Sequence, residues 1–155
     1  DIPESICKNA LSETQQFFER PLEEKMSISY ENSAAFRGYM PMGVENTEGK
    51  IDGREQIEYA AEYTDLCGQG NENEKKQFYH RLRSTNPWPD DVQPSLRPVI
   101  MDYVTSVLSV ADQLRESMCT ALDVDAKDIA HLFGPYNDND PSFWSMKMVS
   151  YPPVV

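Results

Sequence analysis

Between Ser95 and Leu122 the chain contains no glycine, and its apolar residues fall on one helical stripe. Ile100, Tyr103, Val104, Val107, Leu108, Ala111, Leu114, Met118, Ala121 and Leu122 recur at three- and four-residue spacing, the signature of an amphipathic helix. Ser95 is placed to cap it, and Pro98 falls in the first turn, where its missing N–H does no harm. At 1.5 Å per residue such a helix is about 40 Å long. Burying its apolar side chains at roughly 1.5–3 kcal/mol each is a large stabilising term. A chain of 155 residues must therefore supply a surface long enough to receive it. The helix wants a sheet to lie on, which predicts an α+β fold.

The remaining segments fit that expectation. Residues 4–20 read as a helix, with Pro3 and Glu4 at its start and Ile6, Ala10, Leu11, Thr14, Phe17 and Phe18 as its apolar rhythm. Pro21 ends it, and Leu22 to Met26 read as one further turn. Five residues, Gly38, Pro41, Gly43, Gly49 and Gly53, make 27–54 extended chain and turns. From Arg54 to Tyr63 the alternation of Ile57, Tyr59 and Ala61 suggests a strand, while Ala60, Ala61 and three glutamates favour helix nearly as well. Cys67–Lys76 reads as a polar loop and Asn86-Pro87-Trp88-Pro89-Asp90-Asp91 as a turn. Asp125 is predicted to cap a short helix over 126–133, and Asn137 to Pro141 turn the chain into a last strand, Phe143–Tyr151.

Charge narrows the partners. With 14 basic and 26 acidic residues the net charge is −12, and no basic cluster exceeds a pair. That disfavours nucleic-acid backbones and anionic membrane surfaces, both of which need concentrated Lys and Arg. No apolar run is long enough for membrane insertion. Cys7, Cys67 and Cys119 are odd in number and dispersed, so neither a disulfide framework nor a zinc knuckle is expected. With no Asn-x-Ser/Thr site, this predicts an intracellular, cytoplasmic setting; if the true terminus was removed, any targeting segment went with it.

Five phrases, in order, carry a resemblance. Phe17-Phe18-Glu19-Arg20-Pro21-Leu22-Glu23-Glu24-Lys25 is followed by Arg37-Gly38-Tyr39, with Gly43 and Glu45 beyond it. Then come Asn86-Pro87-Trp88-Pro89, the long helix with its Leu122-Asp123-Val124 exit, and a strand ending in Tyr151-Pro152. In this order and spacing the chain resembles the front half of the non-haem iron(II), 2-oxoglutarate-dependent oxygenases, in their isopenicillin-N-synthase-like branch. The resemblance covers nearly the whole chain. It implies that 1–155 is a non-haem dioxygenase N-terminal-type region, whose helices and first strands flank a double-stranded β-helix (jelly-roll) core mostly missing here. The family's H-x-D does not occur, and the R-x-S that lies later still in the family is missing with it, which implies that the C-terminal iron-binding oxygenase domain is absent.

The same resemblance nominates site residues. Tyr151 sits where family members often place a tyrosine facing the iron cavity; the competing reading is an edge-strand residue. Ser145 alternates with Lys147, Val149 and Tyr151 on one face of the strand, so it too is a candidate for the cavity wall. Val149 stands where members that bind 2-oxoglutarate often carry Asn. Arg37 is placed to reach a substrate carboxylate, with a structural salt bridge or a surface position as the alternatives. A lysine at position 147 on that face needs a carboxylate partner, from substrate or protein, to offset burial. No catalytic residue and no metal ligand is assigned. His80 and His131 read as packed or surface histidines. Gly68-Gln69-Gly70 lacks the third glycine and the leading strand of a dinucleotide loop, and Asn137-Asp138-Asn139-Asp140 lacks the glycine and closing glutamate of a calcium loop.

The expectation is thus the N-terminal and central part of an oxygenase acting on a small organic substrate, not catalytic by itself. Iron(II) and 2-oxoglutarate belong to the full-length family, and this chain alone is expected to bind neither. The alternative is a truncated member serving as a structural or binding subunit, with protein partners covering its exposed helix and strand edges.

Overall fold

The computed structural model describes residues 1–63, 82, 84–133 and 143–153. Helices α1 (Glu4–Phe18) and α2 (Leu22–Met26) are followed by strand β1 (Gly38–Met40) and the small hairpin β2 (Asn46–Thr47) and β3 (Lys50–Ile51). Strand β4 (Glu55–Ala60), the long helix α3 (Leu96–Ala121), helix α4 (Ala126–Phe133) and strand β5 (Ser145–Ser150) complete the order. The loop predicted at 67–76, the 137–141 turn, the two rejected motifs and His80 all lie outside the described residues.

Strands β1, β4 and β5 form one antiparallel sheet with β4 in the middle. Residues 55–60 are therefore strand, not helix: pairing on both sides outweighs the helix preference of the Ala and Glu residues. Register assigns the faces. Tyr39 lies opposite Ile57, which lies opposite Met148, so these three point the same way, into the core with Phe17, Tyr59, Leu96 and Ile100. Phe17 meets Tyr39 edge-on at 6.1 Å, joining α1 to the sheet. Gln56, Glu58, Lys147 and Val149 take the opposite face.

Two of the sequence phrases have clear physical roles. Gly38 has φ +117°, and a Cβ there would collide with the Ile28 carbonyl and lie 2.9 Å from Pro87 Cγ; only glycine fits. Asn86 is buried and pairs with β4 like an extra strand residue: its Nδ2 donates to the Ala60 carbonyl (2.8 Å) and its Oδ1 accepts from the Ala60 N–H (3.0 Å). Trp88 then stacks on Tyr59 at 4.1 Å and donates to Glu62 (3.2 Å).

Helix α3 has the predicted length but a different burial. Leu96, Ile100 and Val104 are buried, whereas Val107, Leu114 and Leu122 are 36%, 60% and 70% exposed. The apolar stripe is continuous, yet only its first half is covered. Helix α1 has 15 residues, about 22 Å, and cannot reach along the whole of α3. Cys119 is buried farther along the helix. The start also differs: Ser95 makes no cap and donates to Glu13 Oε2 (2.8 Å). The end is a Schellman turn, with Val124 N–H bonding the Cys119 carbonyl and Asp123 in the left-handed region at φ +54°. Asp125 caps α4 through the Lys127 N–H at 2.9 Å, as predicted.

Candidate functional site on the open face of the sheet

The face of the sheet turned away from the core carries a ladder of polar side chains. Its rungs follow from register: Lys147 is opposite Glu58, and Val149 opposite Gln56. Lys147 Nζ lies 2.5 Å from Glu58 Oε1 and 3.7 Å from Glu45 Oε1. Lys147 therefore has two carboxylate partners, but its side chain is 41% exposed, so the burial they were expected to offset is not there. Gln56 Nε2 donates to the same two oxygens, at 2.9 Å to Glu45 and 3.3 Å to Glu58. Arg54 donates through Nε to Glu45 Oε2 at 2.9 Å and pairs with Asp52 at 3.5 Å. The Arg54 hydrogen bond holds the Glu45 carboxyl below the usual carboxylate range; partial burial opposes this, while Gln56 and the Lys147 charge reinforce it. Hydrogen bonds that Arg54 donates to Glu45 and then to Tyr151 hold its guanidinium more firmly protonated than usual.

Beneath this ladder, on the core side, sits a second polar set. Lys25 and Glu55 are both buried and pair at 2.7 Å; Tyr39 donates to the same Glu55 oxygen at 2.6 Å. Lys25 also donates to the Phe18 carbonyl at 2.9 Å. Burial, then the bond to Glu55, pushes the Tyr39 hydroxyl well above the ordinary tyrosine range. This set ties α2 to β4, and the Glu-Glu-Lys phrase ends on the lysine that does so.

The three nominated residues are not all neighbours. Arg37 and Ser145 line one hollow of about 240 Å³ together with Glu58 and Lys147. Tyr151 is 70% exposed and lines a separate hollow of about 420 Å³ with Thr14, Phe18 and Glu55. Arg37 is buried, and its guanidinium bonds the chain itself. It donates to the carbonyls of Ala61 (2.9 Å), Ser84 (2.7 Å) and Leu82 (2.8 Å) and to Asn86 Oδ1 (3.3 Å). Its burial rules out the surface position, and its partners among the described residues are carbonyl and amide oxygens. Sequence reasoning missed Gln56 and Glu58 as site residues. The signal was present: if Ile57, Tyr59 and Ala61 face the core, Gln56 and Glu58 face the other way.

Among the described residues, no three His, Cys, Asp or Glu side chains stand close enough to hold a metal ion. The residues described here do not make an iron site. Nor, among the described residues, is any helix long and apolar enough to cross a membrane.

Comparison with known proteins identifies the family and the fold. The profile of the family described as "non-haem dioxygenase in morphine synthesis N-terminal" matches residues 1–91. The chain is 27% identical over 151 residues to the 2-oxoglutarate-dependent dioxygenase frbJ of Dothideomycetidae sp. (strain 11243), covering 97% of this chain and 38% of that protein. It is 29% identical over 154 residues to a homoarginine-6-hydroxylase of Glycine max, covering 99% of this chain and 42% of that protein. The fold superposes on the crystal structure of a 2OG-Fe(II) oxygenase family protein from Caulobacter crescentus with a TM-score of 0.70 at 20% identity, covering 99% of this chain and 45% of the other. The chain therefore spans 38–45% of the length of these relatives. It belongs to the non-haem dioxygenase N-terminal family.

Proposed function

We propose that residues 1–155 are the N-terminal and central part of an iron(II)- and 2-oxoglutarate-dependent dioxygenase that oxidises a small organic substrate, and that this part is not catalytic by itself. In this reading the jelly-roll core and the iron-binding domain belong to a C-terminal portion not contained in these residues. The observation that carries it is the family match over 1–91 combined with the 38–42% of the relatives' length that the chain spans. When bound, iron(II) with 2-oxoglutarate supplies the oxidant. What these residues contribute is a sheet whose open face offers Ser145 and Lys147 beside Glu58, with Arg37 lining the same hollow, and Tyr151 in a separate hollow at the end of the last strand. One relative is a homoarginine-6-hydroxylase, which makes a small amino acid a reasonable first substrate to try. An intracellular setting is part of the proposal, on the strength of the dispersed cysteines.

A second reading, a non-catalytic subunit covered by protein partners, is favoured by one observation. An apolar hollow of about 550 Å³ lies between the exposed half of α3, α4 and Phe143. Intact-mass measurement of the natural polypeptide, with a succinate assay, separates the two. The dioxygenase reading expects a longer protein containing H-x-D that forms succinate from 2-oxoglutarate, and no succinate from residues 1–155 alone. A natural polypeptide of this length without turnover would leave the subunit reading.

A further inference from the structure

The buried set of Lys25, Tyr39 and Glu55 borders a hollow of about 440 Å³, whose other walls are the apolar Leu22, Pro41, Met42 and Pro152. Each polar member is more than nine-tenths buried, with Lys25, Tyr39 and Glu55 only 8%, 1% and 6% exposed. Their hydrogen bonds are nevertheless not saturated. Both bonds to Glu55, from Lys25 and from Tyr39, fall on Oε2, so Oε1 has no partner among the described residues. Nor is that oxygen sealed in. The one fully enclosed side-chain polar atom without a hydrogen-bond partner among the described residues is Gln56 Oε1. Glu55 Oε1 therefore opens onto a hollow that Glu55 lines. The Lys25 ammonium has three N–H donors and gives two, to Glu55 and to the Phe18 carbonyl. The third has no acceptor among the described residues, only the face of the Tyr39 ring at 5.4 Å. A spare acceptor and a spare donor thus stand side by side, on partners 2.7 Å apart, against an apolar-walled space.

Charge decides what fits there. Lys25 and Glu55 neutralise each other, so an ionic ligand meets one favourable and one opposing charge and gains only by breaking a buried pair. A neutral group that donates and accepts at adjacent atoms satisfies both spare positions at once, and a primary carboxamide is such a group. We propose that this hollow binds the primary carboxamide of a small, otherwise apolar molecule. The ligand NH2 donates to Glu55 Oε1, its carbonyl oxygen accepts from Lys25 Nζ, and its apolar body lies against Leu22, Pro41, Met42 and Pro152. Tyr39 is a positioning residue: its hydroxyl holds Glu55 Oε2 at 2.6 Å, which leaves Oε1 for the ligand. The volume lies in the range of about 300–1,000 Å³ usual for small-molecule sites. Leu22 and Met42 are 57% and 55% exposed, apolar surface that a bound ring would cover. This site is additional to the proposed oxidation and does not depend on it.

The test is a ligand-observed NMR titration of the full-length protein with three probes. Benzamide carries the carboxamide, acetophenone keeps the ring and carbonyl but has no N–H, and benzoate replaces the amide with a charge. Benzamide is expected to bind about tenfold more tightly than either, the size of one hydrogen bond to a charged group. Met42→Trp and Leu22→Trp, both at exposed positions outside the ion pair, fill the hollow and should each abolish benzamide binding with an unchanged melting temperature. Tyr39→Phe should weaken benzamide and leave acetophenone unchanged, a difference that lost packing does not produce. Glu55→Gln should remove the preference for benzamide over acetophenone. Should Glu55→Gln not fold, the wild-type preference and the two tryptophan variants decide alone. Absence of benzamide binding, equal binding of benzamide and acetophenone, or benzamide binding that survives both tryptophan variants overturns the proposal and leaves a purely structural ion pair.

Discussion

Individual side chains here do their work mostly through burial. The Lys25–Glu55 pair with Tyr39 is taken out of water, so removing one member strands the others. Lys25→Met leaves the Glu55 carboxylate without its cation and should cost about 3–5 kcal/mol, read as a lowered midpoint in urea unfolding. Exchanging both Lys25 and Glu55 for apolar residues of similar volume should cost much less, because no charge is then left unpaired. Tyr39 and Tyr59 carry a second expectation. Burial raises both hydroxyl pKa values above the ordinary range, helped at Tyr39 by Glu55 and at Tyr59 by the charges of Asp90 and Glu62. The folded protein holds these protons more tightly than the unfolded chain. The stabilisation is full below the unfolded tyrosine pKa of about 10 and is lost as pH rises above it. Spectrophotometric titration should show these two tyrosines ionising together with alkaline unfolding, not before it.

Among the elements, α3 separates pattern from burial most clearly. Its stripe has one periodicity throughout, but the residues that cover it stop after the first half. Val104→Asp places a charge in the core and should cost about 3 kcal/mol or more. Leu114→Asp, on the exposed half, should change the stability of residues 1–155 by about 0.5 kcal/mol or less. Thermal melts of the two variants check the division. In a longer polypeptide whose added chain covers that half, Leu114→Asp should become costly as well. Helices α1 and α4 and the turn at Asn86 were legible because each carries local punctuation: Pro3 and Pro21, Asp125, and Asn86-Pro87; α3 was legible from its unbroken apolar rhythm. The 54–63 segment was ambiguous, because its propensities are balanced and the deciding bonds come from β1 and β5.

For the molecule as a whole, the open face of the sheet is where the proposed chemistry gathers. Tyr151 stands at its end, exposed and in contact with Arg54. In the full-length enzyme, Tyr151→Phe is expected to raise KM for substrate or 2-oxoglutarate with an unchanged melting temperature. Unchanged KM for both, with the hydroxyl in solvent, would make it an edge-strand residue only. What the sequence by itself determined are the features that depend on near neighbours: helix rhythm, the turn chemistry, the glycine at Gly38, the alternation along β5, and the ordered phrases that carry the family. Only the tertiary structure decided that Arg37 bonds the chain's own carbonyls, that Glu55 is paired in the core, and that Glu45, Gln56, Glu58 and Lys147 meet in one ladder. Those outcomes depend on strand register and on which surfaces happen to be covered. Both are set by contacts between residues far apart in the chain, and no local pattern encodes them.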